Sequence, residues 1–344
     1  MSPAPIDLRS DTVTRPSAAM RRAMADAEVG DDVLDGDPTT RRLEEATAAL
    51  LGMEDALFFP SGTQANQTGL GLCTRLGTEL IVEADAHIVH YELAGVAALW
   101  GVQIRPVTTP DGRLTAARLR DALRPASPHL PRVTAVTIEN THNAAGGRVL
   151  PLEEMAAIVA AARAAGLDLH VDGARLWNAA AALGVSPARV VLGATTVMVS
   201  FSKGLGCPVG SCLAFARDRR AEAWEIRKRL GGGMRQSGIL AAAGLYALEH
   251  HLGDIAADHE QARLLAERLG CCAAVRVETP ETNIVMIDLT REGADADAVA
   301  LRLEAAGLLV SPFGPPGRLR AVTHRDVGAP EIERAAEIVR TVLA

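Results

Sequence analysis

Leu167-Asp-Leu-His-Val-Asp172-Gly-Ala-Arg175 is an apolar run that ends in a carboxylate and a glycine turn. One unit downstream, Val197-Met-Val-Ser-Phe-Ser-Lys203-Gly-Leu-Gly206 leaves a second apolar run with an amine. Each reads as a short buried strand breaking into a loop. Working outward, the apparent strands are Ala56–Phe59, Glu79–Glu83, Val102–Val107, Val133–Glu139, Leu169–Asp172, Thr196–Phe201 and Ser211–Phe215, separated by Ala-rich helical stretches such as Leu152–Ala165. Strand–helix alternation of this kind predicts a mostly parallel sheet covered on both faces. Ligands of such sheets sit at the carboxyl ends of the strands, which is where Asp172 and Lys203 stand.

An N-terminal arm (residues 1–15) precedes a large domain over residues 16–245, which opens with two helices flanking the loop Gly30–Pro38. A glycine-rich turn, Gly231–Gly233, leads into a long helical stretch, Ser237–Leu269, that joins a smaller α+β domain over residues 246–344. Strands Asn283–Leu289 and Arg318–Thr323 and helices Ala296–Ala306 and Pro330–Leu343 build this second unit. No internal repeat or low-complexity linker interrupts the 344 residues.

Apolar residues make up 48% of the chain and aromatics only 3%, so Ala, Leu and Val fill the core. The net charge of -7 carries no basic tract, which argues against nucleic acid or an anionic membrane as a partner. The first fifteen residues contain Asp7, Arg9 and Asp11 and no apolar run, unlike a signal peptide. No apolar stretch reaches the ~18 residues that span a bilayer. The five cysteines are scattered without CxxC pairing and read as buried reduced thiols, so a cytoplasmic enzyme with no metal centre is expected.

Lys203 leaves a strand end where its amine is desolvated, the condition for a neutral nucleophile that forms a Schiff base. A surface lysine in a turn is the alternative. Of 35 cationic residues only Lys203 and Lys228 are lysines, which points to an amine kept for chemistry where Arg would serve for charge. Asp172 can pair with a protonated pyridine nitrogen or simply cap the helix that follows. Ser61, Gly62 and Thr63, between a strand and a helix, offer free amides, hydroxyls and a helix dipole to a phosphate. A phosphate, a ring nitrogen and an aldehyde are the three handles of pyridoxal phosphate.

At this point the chain resembles the threonine aldolases of the aspartate-aminotransferase superfamily, from end to end. The residues that carry the resemblance are Ile6-Asp-Leu-Arg-Ser-Asp-Thr-Val-Thr14, Gly30-Asp-Asp-Val33 with Asp37-Pro-Thr39, Phe59-Pro-Ser-Gly-Thr-Gln-Ala-Asn66, and Ala86-His-Ile88 with Tyr91-Glu92. Glu139-Asn-Thr-His-Asn143, His170-Val-Asp-Gly-Ala-Arg175, Ser202-Lys-Gly-Leu-Gly206, Gly231-Gly-Gly-Met-Arg-Gln236 and Arg320-Ala-Val-Thr-His324 complete it. The resemblance implies the fold type I architecture of pyridoxal-phosphate enzymes, a mixed seven-stranded sheet flanked by helices, and retro-aldol cleavage of L-threonine or L-allo-threonine to glycine and acetaldehyde. It implies a Schiff base on Lys203, His87 stacked on the cofactor ring, and His142 at the substrate's β-hydroxyl as a candidate proton acceptor alongside His87 or a water. It further implies that Ser10, Arg175 and Arg320 bind the substrate carboxylate, for which an arginine fork is suited. Arg175 and Arg235 would also touch the cofactor. Lys228, for the substrate, and Arg235 would reach a neighbouring subunit's site, placing the active sites at the dimer interface of a homotetramer. Leu34 and Val89 depart from the family, which often carries Tyr and Phe there, and bear on substrate preference. The rival activities are those of other fold type I enzymes, a β-eliminating lyase or an aminotransferase acting on a small amino acid.

Overall fold

The computed structural model describes residues 4–344; the first three residues of the arm lie outside them. Seven strands form the central sheet: β1 (Asp55–Phe59), β2 (Glu79–Glu83), β3 (Gln103–Val107), β4 (Val133–Glu139), β5 (Asp168–Gly173), β6 (Thr196–Ser200) and β7 (Ser211–Phe215). Their spatial order is β1-β7-β6-β5-β4-β2-β3. β2 to β6 pair in parallel, and β7 runs antiparallel to both of its neighbours, β6 and β1. The apolar runs are buried along β1, β2, β6 and β7, as strands covered on both faces must be. β3 alone is largely open to solvent; it forms an edge and tolerates Pro106 there.

Helix Leu152–Ala164 turns Met155, Ile158, Ala161 and Ala162 toward the core, the helical stripe its sequence spells out. Phe58, Phe59, Phe201 and Phe215 are fully buried, so the few aromatics of the chain sit where contact area is largest. Two expectations fail. The stretch Ser237–Leu269 is two helices, Gly238–His250 and Ile255–Leu269, split by a 3-10 turn at Leu252–Asp254. Gly253 breaks the run, since glycine gives up most by staying helical. Of the cysteines, Cys73, Cys207 and Cys212 are buried and free, but Cys271 is exposed and Cys272 half-buried, because both follow the end of a helix at Gly270.

A second, four-stranded antiparallel sheet orders Ser311–Pro312, Arg318–Val322, Ile284–Leu289 and Val275–Val277. Helices Ala296–Ala305 and Ala329–Leu343 share its apolar core. Ala241, Ala243, Ala247 and Ile255 still pack with the large core, whereas Ala262, Leu265 and Leu269 pack with the small one. The N-terminal arm joins the small unit: Ile6–Asp7 pairs in parallel with Leu308–Leu309, and Ile6 and Leu8 are buried in its core. Among the described residues no helix is long and apolar enough to cross a membrane.

Candidate active site

The carboxyl ends of β1, β2, β4, β5 and β6 converge on one crevice, because the register sets Asp172 level with Glu139 on one side and Met198 on the other. Lys203 leaves β6 into a turn whose carbonyl accepts the Thr14 hydroxyl at 2.8 Å, which ties the arm to the lysine loop. Its side chain is half-buried and forms no ion pair among the described residues. Burial, then the guanidinium of Arg175, pulls its pKa down against the carboxylates of Asp11, Asp172 and Glu139. The amine is thereby favoured in its neutral form.

Asp172 lies 1% exposed at the end of β5 and accepts the Ala174 amide at 3.1 Å and the Asn66 side-chain amide at 2.8 Å. The same Asn66 nitrogen donates to Glu92 at 2.9 Å, and Glu92 also accepts from Gln67 at 2.7 Å. His87 turns Nδ1 to that carboxylate at 3.2 Å, and its backbone amide donates to Glu139 at 2.7 Å. Among the described residues, His87 Nε2 has no partner. Burial would lower the His87 pKa, but Glu92, Asp172 and Glu139 together raise it. His87, Glu92 and Asp172 thus bring one nitrogen and two carboxylate oxygens within 4.8 Å of one another, a proximity their sequence spacing conceals.

The two arginines meet at Asn143, but the fork of Arg175 is engaged. Its Nε and Nη2 donate to the two oxygens of Asp11, both at 2.8 Å, and its Nη1 donates to Asn143 Oδ1 at 3.1 Å. Burial works against the Asp11 carboxylate, yet Arg175 holds its pKa at about 2. Arg320 donates from Nη1 to the same Asn143 oxygen at 3.0 Å, and its guanidinium lies 4.2 Å from the Phe313 ring centre. Its Nε is buried without a partner. Burial and the like charge of Arg175 lower the Arg320 pKa to about 10. Two guanidinium groups sharing one neutral acceptor leave donors in excess, the condition for taking up a carboxylate. Ser10 stands beside them, its hydroxyl accepting from Thr12 as the cap of a short turn.

His142 is 1% exposed and bonded at both ring nitrogens. The Ala145 amide donates to Nδ1 at 3.2 Å, so Nε2 carries the hydrogen and donates to Glu83 at 3.0 Å. Burial opposes the protonated ring while Glu83 and Glu139 favour it, and the net shift is upward. The amide aimed at Nδ1 nonetheless holds the neutral tautomer in this arrangement. Ser61 caps helix Gly62–Cys73 through the Gln64 amide at 3.3 Å, leaving the Gly62 and Thr63 amides at the helix start. The buried hydroxyl of Ser211 has no partner and lies 3.5 Å from where a Cβ on Gly62 would stand.

Lys228 and Arg235 are not drawn into this group. Lys228 is exposed and lies along Gly233, and Arg235 pairs with Asp31 at 3.1 Å on the surface. Leu34, at the family departure, is 73% exposed. Asp11, Asn66, Glu83, Glu92 and Asn143 were given no role in the sequence reading. Four of them stand inside the quoted motifs, and motif membership was the one signal that could have singled them out.

The family model of the β-eliminating lyases matches residues 7–292. Low-specificity L-threonine aldolase 1 of Arabidopsis thaliana is 42% identical over 335 residues, covering 95% of this chain and 93% of the relative. The low specificity L-threonine aldolase of Escherichia coli K12 is 41% identical over 340 residues, covering 98% and 99%. Among solved structures, the threonine aldolase of Leishmania major superposes with a TM-score of 0.85 at 22% identity, covering 99% of this chain and all of that one, and shares its fold. The chain belongs to the β-eliminating lyase family.

Proposed function

We propose that the protein is a pyridoxal-phosphate-dependent carbon–carbon lyase that cleaves L-threonine and L-allo-threonine to glycine and acetaldehyde. The observation that carries this reading is the placement of an unpaired amine, a buried carboxylate, a histidine with a free nitrogen and two donor-rich arginines around one crevice. The residues fit the cofactor. Lys203 would hold its aldehyde carbon, Asp172 its ring nitrogen, and Ser61, Gly62 and Thr63 its phosphate, with the unpartnered Ser211 hydroxyl close by. When bound, pyridoxal phosphate supplies a ring that accepts the electrons released as the Cα–Cβ bond breaks.

The protein's own groups do the rest. Arg320, with its unpartnered Nε, and the Nη1 edge of Arg175 would receive the substrate carboxylate, with Asn143 giving up the two donors it now accepts. Asp11 holds Arg175 in place through both oxygens, so this guanidinium is oriented before substrate arrives. His87 Nε2 would accept the β-hydroxyl proton, with Nδ1 anchored on Glu92. His142 is the weaker candidate, because accepting a proton would break its bond from Ala145. A base with a pKa raised above 6.5 is charged at lower pH, so turnover should climb with pH through a midpoint above that value. Lys228 and Arg235 would serve a neighbouring subunit's site, since neither bonds to the site of its own chain, and a dimer or tetramer follows from that assignment. The cytoplasm, where cysteines stay free, is the proposed compartment.

The test is direct. Purified protein with pyridoxal phosphate, given each of the four threonine stereoisomers, should release acetaldehyde and glycine in equal amounts from the L forms. A keto acid and ammonia would instead identify a β-eliminating lyase. Lys203→Ala should lose the visible absorbance of the bound cofactor, and its retention at full intensity would refute the role of Lys203.

A further inference from the structure

Asn66 is 1% exposed, and all three of its polar positions are used. Its nitrogen gives one hydrogen to Asp172 at 2.8 Å and the other to Glu92 at 2.9 Å, while Oδ1 faces His170 Nε2 at 3.1 Å. The amide has only this orientation, because turning it over would set its oxygen against two carboxylates. His170 Nε2 must then carry the hydrogen, which leaves Nδ1 to accept from the Thr196 hydroxyl at 2.8 Å; Cys73 Sγ stands 3.4 Å behind that hydroxyl. Burial keeps His170 neutral, its pKa down at about 4. The ring is wedged in place: a Cβ on Gly69 would lie 2.6 Å from its Cε1. The donors thus run in one direction, from β6 through His170 and Asn66 to a pair of acids.

That pair poses a physical problem. Asp172 and Glu92 are buried side by side, and two like charges so close repel unless donors answer both of them. His87 bonds to Glu92 and lies within 4.8 Å of Asp172 as well, with Glu139 beyond it; Lys203 and Arg175 face Asp172 from the other side. Of these groups only the amide bonds to both acids.

We propose that Asn66 is a positioning residue that couples the two carboxylates: by giving one hydrogen to each, it holds the counter-charge of His87 and the carboxylate offered at the ring nitrogen in one fixed arrangement. The ring-nitrogen half of this inference rests on the cofactor reading above; the His87 half does not. Without the amide the two carboxylates repel with no donor common to both, Glu92 turns away, and His87 loses its counter-charge.

Histidine-labelled full-length chain, free of cofactor, provides the first measurement: the titration of the His87 ring nitrogens by NMR. In Asn66→Leu, and more mildly in Asn66→Ser, His87 should bind its proton at least tenfold more weakly than in the parent. The second measurement is pyridoxal-phosphate affinity by absorbance titration at pH 8. Asn66→Leu should weaken it at least tenfold, whereas Glu92→Gln, which lowers His87 proton binding but leaves the Asp172 bond, should change it less than twofold. An unshifted His87 titration in a folded Asn66→Ser or Asn66→Leu chain overturns the coupling, and so does a Glu92→Gln chain that loses the cofactor as severely as Asn66→Leu. If the cofactor reading itself were wrong, the His87 shift would persist while no variant changed pyridoxal-phosphate binding.

Discussion

The wall around Asp172 and the pocket around Arg320 stand on either side of Lys203 and are built on opposite rules. In the wall, Asn66, His170 and Thr196 satisfy one another and their acids, and Gln67 donates to Glu92 with its own Oε1 left unpaired; all come from the large sheet and its helices. In the pocket, donors outnumber acceptors, one Arg320 nitrogen is buried unpaired, and the residues come from four places: the arm, the loop after β4, the turn after β5 and the second sheet. A saturated network resists rearrangement, since every bond broken leaves a buried group orphaned. An unsaturated one gains from whatever brings acceptors. The wall suits a resident partner and the pocket a transient one.

Four variants would break or sharpen this contrast. The largest effect is expected from Asp172→Asn, which removes a buried charge at a cost of about 3–5 kcal/mol and so lowers kcat/KM roughly 10²–10³-fold. Steady-state rates that fall less than tenfold would show that the wall has no electrostatic duty. Next, Arg320→Leu should raise KM for threonine ~30-fold or more by deleting a charged hydrogen bond worth about 2–3 kcal/mol, with cofactor affinity unchanged; a kcat defect at constant KM would put Arg320 in the wrong region.

Asp11→Asn should destabilise the fold by about 3 kcal/mol, by leaving Arg175 buried and half-paired, as read from urea unfolding. The sign with pH follows: the Asp11 pKa is about 2 in the fold against an ordinary 3.8, so the pair's contribution is complete above pH 3.8 and vanishes as pH falls toward 2. The variant's deficit should therefore shrink over that interval, and a deficit constant with pH would assign it to packing. The smallest effect belongs to His142→Phe, which leaves Glu83 without its ring donor. It should slow cleavage by less than about tenfold, below the ~10²-fold loss from removing a positioned base expected of His87→Gln; the reverse order would make His142 the proton acceptor.

The central sheet was legible because most of its strands carry apolar runs that end at polar breaks. Glu79–Glu83, Val133–Glu139 and Ser211–Phe215 fall where the sequence places them. Ile6–Asp7 and Leu308–Leu309 were not legible, since two-residue strands carry no periodicity and find each other across almost the whole chain. In the site, Lys203 and Asp172 stood out by charge at strand ends, and the arginines only through the family motifs that contain them. What stayed hidden were relations between residues. That Asp11 occupies the fork of Arg175, or that Glu83 and Ala145 engage both nitrogens of His142, depends on partners brought together only by the folded chain.

The pairing of the arm with Leu308–Leu309 also sets an order of events at the ribosome. Ile6 and Leu8 are made before any strand of the large sheet, yet their neighbours lie at residues 307–309 and 322. The large sheet has all its strands once Phe215 has emerged. This part of the arm must wait, apolar and unpaired, until those residues have emerged. A nascent chain can thus assemble the wall early but cannot complete the pocket, and a product truncated before the second sheet would carry the one without the other.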